Sequence, residues 1–167
     1  PGLRLAFSFF SRRDKTMSQI LVTGANGFVG RGLCDALRTR GIAVVPAVRK
    51  INQASDVAVG DLSAATDWRL ALQNCDAVIH LAARVHVMNE TASDPLDAFR
   101  SVNVEATVNL ARQAITAGVS RFVFVSSVKV NGEETSERPY TAFDEPAPTD
   151  PYGISKLEAE VALKKLA

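Results

Sequence analysis

Ile20-Leu21-Val22-Thr23-Gly24-Ala25-Asn26-Gly27-Phe28-Val29-Gly30 decides how the rest of this 167-residue chain is read. A short apolar run enters a turn with a glycine at every third position. A helical pattern follows, with Val29, Leu33 and Leu37 spaced to share one face. In such a turn Gly24 permits a tight bend, Gly27 lets backbone amides approach a diphosphate, and Gly30 lets helix and strand pack closely. The helix start then offers unpaired N–H groups and the positive end of its dipole to phosphate. The spacing is GxxGxxG rather than GxGxxG, so its place between first strand and first helix carries the reading, not the glycines alone. A purely structural turn is the competing explanation.

Working outward, Gly41 ends the first helix and Ile42 to Val48 reads as a second strand, Val57 to Val59 as a short third. A helix is expected over Thr66 to Asn74, a strand over Ala77 to Leu81, a long helix from Asp94 to Ala117 stopped by Gly118, and a fifth strand over Phe122 to Val125. Continuous apolar runs, not alternating ones, imply strands covered on both faces. The fold class that follows is α/β, a Rossmann-type doubly wound parallel sheet. Pro46 inside the second strand predicts a local irregularity.

Composition excludes several classes. Nineteen Lys and Arg against eighteen Asp and Glu leave a net charge of +1, so nucleic acid and anionic membrane are not expected as main partners. No apolar run approaches the ~20 residues of a membrane-spanning helix. Cys34 and Cys75 stand outside any CxxC or Cys/His cluster, which points to reduced thiols in a cytoplasmic protein and to no metal site. Residues 1–17, with Arg4, Arg12, Arg13 and Lys15, read as a flexible extension before a start near Met17; a targeting peptide would need a small-residue cleavage site. Residues 18–167 form the binding domain. The helical pattern reaches Ala167 without a stop signal, so a C-terminally truncated fragment is expected, lacking turnover alone.

Two further clusters carry chemistry. The second strand ends Val48-Arg49-Lys50 with no acid nearby, where a carboxylate would accept a ribose 2′-hydroxyl. Two cations there suit a 2′-phosphate and lean the cofactor toward NADP over NAD; a solvated basic strand end is the rival. Asp61 stands where it could meet an adenine amino group or cap its own turn. Tyr152-Gly153-Ile154-Ser155-Lys156 puts a phenol and an ammonium four apart, on one face of a helix that begins near Pro151. The ammonium favours phenolate and makes the tyrosine a general acid/base. Ser126-Ser127 ends the fifth strand, where such sheets bind ligands, and a hydroxyl there can hold a substrate oxygen toward the tyrosine. Residues Asn131 to Asp150 form a long connection of the kind that is functional or disordered.

Together these stretches resemble the extended short-chain dehydrogenase/reductases, the NAD-dependent epimerase/dehydratase group. The resemblance rests on Thr23 to Gly30, Gly60-Asp61-Leu62, His80-Leu81-Ala82-Ala83, Asn103 to Thr107, Ser126-Ser127 with Asn131-Gly132, and Tyr152 to Lys156. It implies Tyr152 as acid/base, Lys156 as its partner and a nicotinamide-ribose contact, and Ser127 rather than Ser126, counting five back from Gly132. It also implies cofactor contacts at Gly24, Asn26, Gly27, Phe28, Val29, Gly30, Arg49, Asp61, Leu62, Leu81, Ala82 and Ala83, with Asn103 near the reaction site. Asn131 departs from the group's usual tyrosine and Ala106 from a common glycine. The run Arg84 to Met88 is similar to the bacterial surface-polysaccharide branch, whose members epimerise or reduce nucleotide sugars at C4. The resemblance implies an NAD(P)-dependent epimerase or reductase of a nucleotide-activated sugar, and a homodimer is compatible with it. A cofactor-binding module without catalysis and a reductase of steroid-like or flavonoid-like carbonyls are the other readings. His80 and His86 read as structural or pocket-lining histidines.

Overall fold

The computed structural model describes residues 19–85, 94–135 and 138–167. The N-terminal extension and His86 lie outside them. Strands β1 (Ile20–Thr23), β2 (Val44–Val48), β3 (Val57–Ala58), β4 (Ala77–His80) and β5 (Arg121–Phe124) form one parallel sheet in the order β3-β2-β1-β4-β5. The chain therefore moves outward from β1 to one edge, then crosses back to build the other. Ligand sites in such sheets form where the order reverses, at the carboxyl ends of β1 and β4.

Alternate residues of β1 serve two cores. Leu21 joins Val78, Leu110, Phe122 and Leu163 on one face, whereas Ile20 and Val22 join Cys34, Leu33 and Leu37 on the other. Helix α1 (Phe28–Thr39) covers the second face. The first is covered by α3 (Ala106–Thr116) and α4 (Pro151–Lys164). Fully buried Leu21, Val78 and Leu110 each contribute about 1.5–3 kcal/mol of burial.

Four expectations need correction. Val29 is 61% exposed, and the buried positions of α1 are Gly30 and Cys34, with Leu33 and Leu37 packed beside them. The turn beneath α1 packs Gly30 on Gly24 and Ala25 and leaves Val29 facing outward. Residues 66–74 form turns instead of a helix. Side chains of α3 hold the segment instead: Asn109 Nδ2 and Gln113 Nε2 donate to the Thr66 carbonyl, which a helix would have given to Leu70, at 2.8 and 2.9 Å, and Gln113 Oε1 accepts the Trp68 N–H at 2.8 Å. The long helix is three pieces, α2 (Pro95–Arg100), a π-helical turn (Ser101–Glu105) and α3. Finally, β2 runs in unbroken register through Pro46, which faces Val22. β3 pairs only with Ala47 and Val48, so no strand lies beside Pro46 on its other flank.

Candidate functional site

A cleft of about 610 Å³ opens over the carboxyl ends of β1, β2 and β4. Gly24, Asn26 and Gly27 of the glycine turn form one wall. Arg49, Asp61 and Leu62 stand on the β2–β3 side, and Leu81, Ala82 and Ala83 leave β4 along the opposite wall. The structure thus brings together nine of the residues expected to bind cofactor. Phe28 (93% exposed) and Val29 lie outside the cleft lining, and Gly30 is buried beneath the turn. Its place there is forced, since a Cβ on Gly30 would lie 2.1 Å from the Gly24 carbonyl oxygen. Gly24 itself has φ +65°, and a Cβ on it would press the Ala82 backbone nitrogen at 3.0 Å. No side chain caps α1 at Gly27. A bare turn, the first N–H groups of a helix and the Arg49 guanidinium together fit a dinucleotide diphosphate and its flanking ribose.

One buried chain of hydrogen bonds holds the cleft's walls. Thr23 Oγ1 accepts the N–H groups of Leu81 and Ala82, each at 3.1 Å, so its own proton goes to His80 Nδ1 at 2.7 Å. The imidazole then carries its proton on Nε2 and donates it to Thr107 Oγ1 at 3.0 Å. Burial, reinforced by the charge of Lys156, pushes His80 down to about 3, so the ring is neutral. His80 is a satisfied structural histidine that ties β1, the β4 exit and α3 together.

The second cluster gathers around the start of α4. Asp150 caps that helix by accepting the Gly153 N–H, with Pro151 in the first turn. A Cβ on Gly153 would lie 2.6 Å from the Lys129 carbonyl oxygen, so glycine is what lets this turn pack on the 3₁₀ segment Val128–Val130. Ser127 caps that segment, its Oγ accepting the Lys129 N–H at 3.2 Å. That bond leaves the hydroxyl proton to be donated elsewhere. Lys156 is almost wholly buried, donates from Nζ to the Val125 carbonyl at 2.8 Å, and lies 3.8 Å from the Phe124 ring centroid. Burial draws its ammonium down to about 7, and Glu160 pulls the other way.

Aromatic contacts join the two clusters. Arg84, which lines the cleft, lies 5.4 Å over the Phe99 ring, and Phe99 meets Tyr152 edge-on at 6.2 Å between centroids. Arg100 grips Glu158 through two bonds at 2.8 and 2.6 Å and so holds α2 against α4. Asn103, on the π-helical turn, mimics a strand partner for Arg84: Oδ1 accepts its N–H at 2.8 Å, and Nδ2 donates to its carbonyl at 3.0 Å. The same Nδ2 reaches Ser155 Oγ at 2.9 Å. Asn103 is therefore a buried brace between the cleft wall and α4, not part of the cleft lining.

The family model described as "NAD dependent epimerase/dehydratase family" matches residues 20–167. The chain belongs to that family. It is 47% identical over 158 residues to a UDP-glucose 4-epimerase of Vibrio cholerae, covering 92% of this chain and 48% of the relative. It is 34% identical over 142 residues to a 3-beta-hydroxysteroid dehydrogenase of Mycolicibacterium neoaurum, covering 75% of this chain and 38% of the relative. Among solved structures, MoeE5 in complex with UDP-glucose and NAD superposes with a TM-score of 0.74 at 34% identity, covering 87% of this chain and 48% of that one. The chain spans about half the length of the curated relatives it matches, or less. Thr23 and Arg84 enter the sequence analysis only as members of longer stretches, and Trp68 and Glu160 do not enter it. A threonine at a strand end and a glutamate one helical turn past the lysine were the available signals; Arg84 was marked only by its run, and Trp68 by nothing.

Proposed function

We propose that this chain is the dinucleotide-binding part of an NAD(P)-dependent enzyme that epimerises or reduces a nucleotide-activated sugar at C4. The carrying observation is the chain of contacts from the glycine-turn cleft to the Tyr152 turn through Arg84 and Phe99. The 47% identity to a UDP-glucose 4-epimerase supports the substrate class. Gly24, Gly27 and the start of α1 would hold the diphosphate, and a bound dinucleotide supplies the hydride acceptor or donor. Tyr152 takes the proton of a sugar hydroxyl, or returns it in the reductive direction. Ser127 donates its free hydroxyl proton to the same substrate oxygen and fixes it in place. Lys156, when charged, favours the phenolate form of Tyr152.

Arg49 and Lys50 support NADP as the preferred dinucleotide. Arg49 Nε pairs with Asp61 at 3.0 Å, but both side chains are exposed, so the pair is weak and leaves the outer guanidinium nitrogens for a 2′-phosphate. The buried free thiols of Cys34 and Cys75 support a cytoplasmic setting, where nucleotide sugars feed polysaccharide synthesis. A 3β-hydroxysteroid is the second substrate reading, favoured by the steroid dehydrogenase relative. Tyr152→Phe in the full-length protein tests the proposal. Turnover with UDP-sugars is expected to fall about 10²–10⁴-fold, while affinity for NADPH and NADH stays within about twofold. Undiminished turnover removes Tyr152 from the chemistry, and turnover of 3β-hydroxysteroids alone transfers the reading to the second substrate.

A further inference from the structure

Two consecutive residues at the tip of β5 are fastened to two residues one turn apart on α4. The Val125 carbonyl accepts from Lys156 Nζ, and the Ser126 hydroxyl donates to the Glu160 carboxylate. Both α4 side chains are 2% exposed. A carboxylate and an ammonium out of water each carry a large desolvation penalty unless something compensates. Here Lys156 has the Val125 carbonyl and the Phe124 face, and Glu160 has Ser126. The titratable groups whose charges act on Lys156 are Glu160, one turn later on α4, and His80 on β4, which is neutral; Tyr152 stands one turn earlier on the same helix. One turn past Lys156, Glu160 sets a negative charge against that burial, which still draws the ammonium down to about 7. Committing Ser126 to Glu160 also settles the division of labour between adjacent serines, because Ser127 alone keeps an uncommitted proton.

From this geometry we infer that Glu160 is a positioning residue of the reaction site, stapling the β5 tip through Ser126 and lending its charge to Lys156 one turn away. The inference rests on the proposed roles of Ser127 and Lys156. The test is Glu160→Gln in the full-length protein, which keeps an acceptor for Ser126 but removes the charge. The midpoint of Lys156 titration, read by NMR of its labelled ε-carbon, is expected to fall by about one unit, and the alkaline limb of kcat to move with it. A midpoint that does not move overturns the charge role. Glu160→Asp keeps the charge but shortens the reach to Ser126. Its midpoint is expected to stay near the parent's while kcat falls about tenfold, and an unchanged kcat overturns the stapling role. The NMR midpoint needs no turnover. A parent protein inactive on UDP-sugars therefore counts against the proposed function while leaving the Glu160–Lys156 coupling measurable.

Discussion

The cleft over β1 and the cluster around α4 are built in opposite ways. The phosphate end of the cleft is mostly backbone, a bare glycine turn, an uncapped helix start and the exit of β4, while side chains such as Arg49, Asp61 and Trp68 line the rest. The α4 cluster is mostly side chain, a set of buried polar groups from β5, the π-helical turn and α4 that satisfy one another. A backbone site tolerates change at its rim but not beneath its turn. A side-chain site fails wherever one partner of a buried pair is removed.

The largest expected break in that contrast is Gly30→Ala. Its Cβ would collide with the Gly24 carbonyl, lowering unfolding free energy by about 3 kcal/mol and opening the turn. Trp68 is the single tryptophan and lies on the cleft wall, so quenching of its fluorescence by NADPH is the readout. Quenching is expected to vanish in the variant, and parent-like quenching contradicts a backbone-built phosphate site.

A smaller effect sharpens the comparison from a buried side-chain brace of the cleft, His80. His80 is held well below its ordinary value, so below pH 6.5 the unfolded chain binds a proton that the folded one refuses. Stability from this group is complete above about pH 6.5 and is lost as pH falls toward 3, on the order of 5 kcal/mol at full extent. Denaturant titrations of His80→Gln should show a flatter acid limb than the parent. Equal slopes would mean that the Thr23–His80–Thr107 chain does not hold the imidazole neutral.

The same contrast explains what could be read in the sequence. Glycine spacing after a strand is a statement about backbone, and it located the cleft; the i, i+4 spacing of Tyr152 and Lys156 needed only helical geometry. The failures arose where distant side chains decide local structure. Residues 66–74 carry a helical pattern, yet Asn109 and Gln113, more than forty positions away, claim the backbone groups of Thr66 and Trp68. Asn103 sits in what reads as one long helix, and only its bonds to Arg84 and Ser155 give the π-helical turn at Ser101–Glu105 a purpose. Beyond its spacing from Lys156, nothing local marks Glu160 in the sequence, because its partner Ser126 lies thirty-four positions away at the end of β5.

Whether the two regions are halves of one site is measured most directly by mixing the full-length protein and oxidised dinucleotide with a UDP-sugar and recording absorbance of the reduced nicotinamide. A rise that requires both ligands, and is lost in Tyr152→Phe while dinucleotide stays bound, is the predicted result. Dinucleotide binding without any sugar-dependent rise, or a rise equal in the two proteins, would contradict the union of the glycine-turn cleft with the α4 cluster.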